Sequence, residues 1–529
     1  MNPILPRLNR VLTGEQTHTA RYIIAIVVTL ATTLEMLDNT VVGVAIPSMM
    51  GNLGATLDEI AWVTTGYAVA NAIIVPISSW LSDLLGRRNY FALSILLFTL
   101  SSLLCGTSSS VQELVLWRIV QGLAGGALIP MSTLIILDVF PPAEVGIGLA
   151  IWGAGLNLGP AFGPMLGGWL TDALSWPCIF YINLPIGALA LFLALVYVPD
   201  GKDAKKPEAI DFSGLMLLTA AIASLQALIE RGERLGWFES SEITAYAIIF
   251  SIAVPVFIWH ERRAAHPIVD LGVFRDRQFL ACLPLGMITA AVAYMTSISM
   301  PLFLQSQVGH TALQAALAQT PFIIALAAAF AVIGKLSSNP RIDMRLVIVG
   351  GLLAMAWSFW LNAGFTLQSG DGDVATPLAL RAIGIAMVIL PLTSLAVNRL
   401  PPHQVGVGNS LYNLFRQVGG GLGVAAFTML LDRLTHINHD SLAEHVHAFS
   451  MQAGERLGQL NQMFIGHGEA SNHAGQSALH MLDGMVARQA AMIAFNQTDI
   501  FFAIAVLLSL LAVPAMVSGR MAAGSTPSH

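Results

Sequence analysis

The sequence predicts an all-α polytopic membrane protein of two parallel six-helix halves with two further helices inserted between them, 14 spans in all. Three observations carry that expectation. The 529-residue chain is 55% hydrophobic and 11% charged, with mean hydropathy +0.70, whereas soluble domains carry about 25% charged residues. Fourteen apolar stretches come near the roughly 20 residues a membrane-crossing helix requires. They are 22–47, 60–84, 89–107, 112–139, 144–171, 178–198, 212–230, 242–260, 279–305, 314–335, 343–365, 376–399, 404–431 and 498–518. Finally, PPAEVGIG (Pro141 to Gly148) returns 260 residues later as PPHQVGVG (Pro401 to Gly408).

Each copy of that octapeptide links two spans, four to five and then twelve to thirteen. Just upstream, PMSTL (Pro130 to Leu134) is echoed by PLTSL (Pro391 to Leu395). The matched place in the span order makes spans one to six and nine to fourteen two parallel halves, a transporter architecture with its site between them near the midplane. The expected organisation is a first half over 1–200, the inserted pair with a basic linker over 201–278, and a second half over 279–529. The second half carries an outer loop over 432–497.

Lys and Arg placement sets orientation. With the N-terminus inside, 17 fall in inner segments: Arg7, Arg10, Arg21, Arg87, Arg88, Lys202, Lys205, Lys206, Arg262, Arg263, Arg275, Arg277, Lys335, Arg341, Arg345, Arg399 and Arg520. Five fall outside: Arg231, Arg234, Arg433, Arg456 and Arg488. An even span count then places both termini in the cytoplasm.

The first span holds the chain's most informative residues, Glu35 and Asp38. A carboxylate in hydrocarbon costs at least a few kcal/mol and is usually functional. Glu35 lies roughly 20 Å into its helix, near the bilayer centre. A spacing of three places both acids on one face, close enough to titrate as a coupled pair. That suits a site that loads a proton from one side and releases it to the other. The alternative is a structural ion pair with Arg118 in span four or Arg416 in span thirteen. Either arginine is also placed to set the acids' protonation or hold a substrate anion. Arg381, nearer an outer helix end, is expected to snorkel.

Between spans two and three, DLLGRR (Asp83 to Arg88) has Gly86 for a tight turn. Asp83 can pair with Arg87 or Arg88 across it, and Asp138 at the inner end of span four with the other. Such a cluster is suited to latch one conformation of a cytoplasmic gate, or simply to anchor the inner face. Span five contains GPAFGPMLGG, with Gly159, Pro160, Gly163, Pro164, Gly167 and Gly168. Proline deletes helix hydrogen bonds and glycines four apart admit a neighbouring helix, so this is a bending or close-packing element. Gly419 and Gly423 offer a second small face in span thirteen.

These motifs resemble those of the major facilitator superfamily. DLLGRR resembles its loop between spans two and three, and WRIVQGLAGG (Trp117 to Gly126) its span-four motif, which places a proton-coupling arginine at Arg118. GPAFGPMLGG is similar to the span-five motif of exporters, and LDNTVVGVAIP (Leu37 to Pro47) to the span-one motif of the fourteen-span drug:proton antiporters. ERGERLGWFESSEI (Glu230 to Ile243) and HPIVDLGVFRDRQF (His266 to Phe279) resemble the EmrB-like multidrug exporters in particular. The resemblance covers essentially the whole chain. It implies the major facilitator fold and proton-coupled efflux across a bacterial inner membrane, with a periplasmic adaptor protein and an outer-membrane channel as partners. Ser79, Gly43 and Glu35 depart from the pattern: glycine, asparagine and an uncharged residue are expected there.

The other expectations are negative or alternative. The three cysteines (Cys105, Cys178, Cys282) suggest neither disulfides nor a metal site. The outer segment holds seven of the chain's 13 histidines, His436, His439, His445 and His447 clustered among them. It reads as a docking surface rather than a metal centre, and no cofactor or nucleic-acid partner is expected. The chain lacks the GxxxxGK[ST] loop of an ATP-driven pump. The deep titratable set lacks the histidine that an intramembrane enzyme would favour. Amphipathic compounds and protons are the expected ligands, and the alternative is a facilitator or importer of a small metabolite.

Overall fold

The computed structural model describes residues 18–141, 144–199, 211–264, 267–337, 342–444, 446, 451–467 and 471–516. Among the expected charged and histidine residues, Arg7, Arg10, Lys202, Lys205, Lys206, Arg341, Arg520, His445 and His447 lie outside these. Among the described residues every regular element is helical, and 13 helices are long and apolar enough to cross a membrane. The expected fifth span lies in a further helix of 29 residues, Val145–Ala173.

The first half comprises α1 (His18–Leu53), α2 (Leu57–Leu85), α3 (Arg87–Thr107), α4 (Val111–Gly125), α5 (Leu128–Val139), α6 (Val145–Ala173), the short α7 (Cys178–Tyr181) and α8 (Asn183–Tyr197). The inserted pair is α9 (Phe212–Arg231) and α10 (Ser241–Glu261). The second half follows as α11 (Arg277–Phe303), α12 (Ala312–Ala318), α13 (Thr320–Ser337), α14 (Met344–Asn362), α15 (Asp371–Leu395), α16 (Val405–Ala443), α17 (Met451–Gly466) and α18 (Ser471–Ser509). Local chemistry sets many of the ends. Thr56 and Glu59 form a capping box at the start of α2, and Ser110 and Asp276 cap α4 and α11 through their side chains. Gly86, at φ +82°, turns the chain between α2 and α3, a backbone conformation that glycine adopts at little cost.

The repeat seen in the sequence recurs in the packing. In the first half α1 packs on α6, α2 on α4, and α3 on α8. In the second, α11 packs on α16, α13 on α15, and α14 on α18. These are the same three pairings, first with fifth, second with fourth and third with sixth. The inserted α9 lies against both α2 and α16, bridging the halves.

Glycine permits the closest of these contacts. A Cβ on Gly159 of α6 would stand 2.5 Å from the Leu37 backbone nitrogen, and one on Gly167 2.9 Å from the Val41 carbonyl oxygen. Gly155, Gly159, Gly163 and Gly167 thus form one stripe along α6 against α1. Pro160 and Pro164 lie within the same helix. The second half repeats the device, with Gly423 of α16 against Ala291 of α11.

The outer segment is more regular than a loop. α16 and α18 each run 39 residues, about 58 Å at 1.5 Å per residue and roughly twice the hydrocarbon thickness. Their extensions, with α17 packed on α18, form a helical projection at one end of the bundle. Asn438 donates to Gln497 across it (2.9 Å), and His439 Nε2 lies 3.1 Å from Asp483.

Candidate functional site

Glu35 and Asp38 both lie buried on α1, yet they enter different surroundings. Asp38 is enclosed within the first half. Arg118 Nη1 of α4 donates to Asp38 Oδ2 at 2.5 Å, while Gln121 Nε2 and Asn183 Nδ2 donate to Oδ1 at 2.9 and 2.7 Å. Arg118 is held in turn by the Val63 carbonyl (3.1 Å) and Gln121 Oε1 (2.8 Å), with its guanidinium 4.0 Å from the centre of the Tyr67 ring. Asn183 also donates to Ser102 of α3 at 3.0 Å. Spans one, four and six therefore meet at one carboxylate, and span three joins them through Asn183.

Glu35 instead faces a cavity of about 470 Å³ between the halves. Asn71 Nδ2 donates to its Oε1 at 2.9 Å, and Gln417 Nε2 from the other half donates to Asn71 Oδ1 at 2.9 Å. Glu35 Oε2 has no hydrogen-bond partner among the described residues. The remaining lining mixes Met36, Ile129, Tyr294 and Ile298 with Glu230, Arg416 and other polar groups. Arg416 lies 5.5 Å from the Trp152 ring centre, and its Nη1 has no hydrogen-bond partner among the described residues. Such a volume and mixture fit a drug-sized amphipathic ligand.

One end of the bundle, that bearing the α2–α3 turn, is sealed by contacts between halves. Ser78 Oγ meets Ser410 Oγ at 3.2 Å, Thr133 donates to Asn409 at 3.0 Å, and Asn409 donates to the Pro130 carbonyl at 2.8 Å. On the same face Arg87 forms an ion pair with Asp138, and Asp83 is close enough to act on Arg87 electrostatically. Asp138 therefore takes Arg87, and Asp83 bears on that same arginine. Ser79 packs directly onto Gly406 of α16. The glycine that the motif leads one to expect at Ser79 is supplied by the facing helix.

Arg381 corrects an expectation. It does not snorkel: it is 0% exposed, donates to Ser358 Oγ (3.1 Å) and Thr296 Oγ1 (3.3 Å), and stacks over Phe359 at 3.8 Å. The amides Asn71, Gln121, Asn183 and Gln417 carry the site's hydrogen bonds and were not singled out by sequence. Neutral amides are ordinary in apolar helices and give no charge signal. Glu230 borders the cavity because the inserted α9 bridges the halves, a placement that composition does not specify.

The Major Facilitator Superfamily model matches residues 28–424. A fatty acid resistance protein of Neisseria gonorrhoeae, FarB, is 32% identical over 498 residues, 93% of this chain and 96% of that protein. The multidrug export protein EmrB of Escherichia coli K12 is 33% identical over 460 residues, 86% and 88% of the two chains. Among solved structures, the human organic anion transporter MFSD10 superposes with TM-score 0.58 at 15% identity, covering 94% of this chain and 100% of that one. The proton:xylose symporter XylE gives 0.56 at 13%, covering 92% and 95%. The apolar helices and this kinship indicate a multi-pass protein of a bacterial inner membrane, a transporter and not an enzyme. With the paired halves, the cavity between them and a family match over three quarters of its length, the chain belongs to the Major Facilitator Superfamily.

Proposed function

We propose that this protein exports amphipathic compounds in exchange for protons by alternating access. The observation that carries the reading is the division of labour on α1. Glu35 faces the cavity between the halves, while Asp38, one turn away, is locked to Arg118 within the first half. A proton and a substrate can then compete at Glu35. Protonating Asp38 removes one charge of the pair that ties α1 to α4, and the glycine stripe of α6 is the track along which α1 shifts. Arg416, on the opposite wall, bears on the charge of whatever occupies the cavity. Asp83, Gly86, Arg87, Arg88 and Asp138 form the cytoplasmic gate.

In this reading the chain has fourteen spans, with both termini cytoplasmic. The sealed end is the inner one and the state is outward-facing. The halves are 1–200 and 279–529, joined by the inserted pair and linker over 201–278. The projection over 432–497 is the docking surface for a periplasmic adaptor protein, which connects to an outer-membrane channel. The relatives include proteins named for resistance to fatty acids and for export of multiple drugs, both compatible with amphipathic cargo. Energetics allow it: one proton yields about 2.3 kcal/mol per 100 mV, and each pH unit adds about 1.4 kcal/mol.

Uptake of ethidium into inside-out vesicles tests the proposal. Native protein should accumulate the dye when the membrane is energised, and lose it on addition of an uncoupler. Asp38→Asn should abolish accumulation. Uptake indifferent to both the uncoupler and Asp38→Asn would replace the antiporter with a facilitator.

A further inference from the structure

The second half contains a buried charge cluster built from the same four helix positions as the Asp38 site. In the first half, Asp38 comes from the first helix, Ser102 from the third, Arg118 from the fourth and Asn183 from the sixth. In the second half, the corresponding helices α11, α14, α15 and α18 contribute Ser299, Asn362, Arg381 and Asp499. Each arginine lies over an aromatic ring, Arg118 over Tyr67 at 4.0 Å and Arg381 over Phe359 at 3.8 Å. The acid has changed place: it sits on the first helix of one half and on the sixth of the other.

The second cluster is incompletely satisfied. Arg381 is 0% and Asn362 1% exposed, yet Arg381 Nη2 and Asn362 Oδ1 have no hydrogen-bond partner among the described residues. Buried polar groups left so are costly and call for an explanation. Beside them lies a cavity of about 10 Å³, bordered by Ser299, Asn362, Asn496 and Asp499, with room for about one water. Asp499 is half-buried, at the point where the projecting part of α18 enters the bundle. The charged group bearing on it among the described residues is Arg381 of α15. α11 presents Ser299, Met300 and Phe303, α14 presents Asn362 and the turn after it Phe365, none of which is titratable.

We propose that Asp499 is a second proton-binding carboxylate of the transport cycle, serving the second half as Asp38 serves the first, with Arg381 as its counter-charge. The inference rests on the proton-coupled reading above. In one conformation the Asp499 carboxylate takes a proton from the outer side, through the small cavity. In the other, approach of Arg381 displaces that proton toward the inner side. No other group is consumed.

Full-length protein in proteoliposomes under a fixed membrane potential decides it, by the substrate gradient sustained at zero net flux. At 100 mV each coupled proton multiplies that gradient about fiftyfold. Asp499→Asn should lower the gradient by about that factor, while Asp499→Glu, which keeps the acid, restores it. An Asp499→Asn gradient equal to the native one overturns the proposal but leaves proton-coupled export standing. A native protein with no proton-driven gradient sinks the export reading itself. If Asp499→Asn does not reach the membrane, native protein is treated with a hydrophobic carbodiimide, which reacts with protonated carboxyls, and the peptide containing Asp499 is followed by mass spectrometry. Labelling that rises as pH falls supports the proposal, and absence of labelling at every pH overturns it.

Discussion

At the scale of single residues, the chain shows why charge is so much easier to read than polarity in an apolar background. Glu35, Asp38, Arg118 and Arg416 are conspicuous because a charge in hydrocarbon needs a reason to be there. The amides that hold them are silent in the sequence, since asparagine and glutamine occur in apolar helices without comment. Asp499 was hidden differently. The apolar stretch begins at residue 498, so the acid resembles a helix end, whereas α18 starts 27 residues earlier at Ser471. Arg118→Gln strands Asp38 as a buried charge. Breaking one partner of such a pair costs about 3–5 kcal/mol. Asp38→Asn is milder, because Arg118 keeps the Val63 carbonyl, Gln121 Oε1 and the Tyr67 ring. Thermal unfolding in detergent should therefore rank native above Asp38→Asn above Arg118→Gln, although both variants lose proton-driven uptake. Glu35→Gln acts on the cavity wall instead. It should weaken transport of cationic dyes by roughly tenfold, about 1.4 kcal/mol, while a neutral substrate falls much less. Equal loss for both classes would remove Glu35 from substrate recognition.

At the scale of elements, the span-five motif yields two readings, a moving contact and ordinary close packing, and both rest on the same stripe of glycines. Its small residues form one stripe, because Gly155, Gly159, Gly163 and Gly167 all face α1, and in the proposed cycle that stripe is the track for α1. Gly168 belongs to the same motif in sequence but not to the stripe, since a Cβ there would meet its nearest atom, on Val44, at 3.9 Å. Gly43, another departure from the family pattern, has nothing within 4 Å. Gly168→Ala and Gly43→Ala should consequently leave both stability and transport near native. Gly159→Val should force α1 and α6 apart. Overpacking of this kind costs about 1–3 kcal/mol, and transport should fall further than stability does, because the same interface must slide. Measuring unfolding and vesicle uptake on the three variants distinguishes a track from ordinary packing. A Gly159→Val protein that transports normally would make the stripe merely structural. The all-helical class, the repeat and the motifs' places were legible at this scale because membrane burial imposes a length on every span. The outer segment was not, because helices leaving the bilayer lose their apolar signature and continue as polar amphipathic sequence.

At the scale of the whole molecule, function depends on which end of the bundle is closed, a property that no local motif encodes. Two halves with the same three internal pairings can rock about the cavity between them, and only contacts across the divide record the state. Those contacts gather at the α2–α3 end, where Ser78 and Ser410 lie 3.2 Å apart and Thr133 and Asn409 are bonded. None of these residues is charged, so sequence pattern pointed only to the neighbouring Asp83 to Arg88 cluster, whose ion pair between Arg87 and Asp138 lies within the first half. The cluster lies on one face of the closed end, whereas the closure itself is made by hydroxyls, amides and the Ser79–Gly406 contact. A covalent link at that point should hold the closed state. With Cys105, Cys178 and Cys282 replaced by serine, Ser78→Cys combined with Ser410→Cys should form a disulfide under mild oxidation, since bonded hydroxyl positions lie within reach of an S–S link. Oxidation should then abolish uptake into inside-out vesicles, and reduction restore it. If the oxidised double variant transports as well as the reduced one, the halves do not separate at this end, and the rocking scheme fails. Each single variant controls for the thiol itself. The small residues at the divide, Gly406 above all, are then what allow the two halves to close without a charged lock between them.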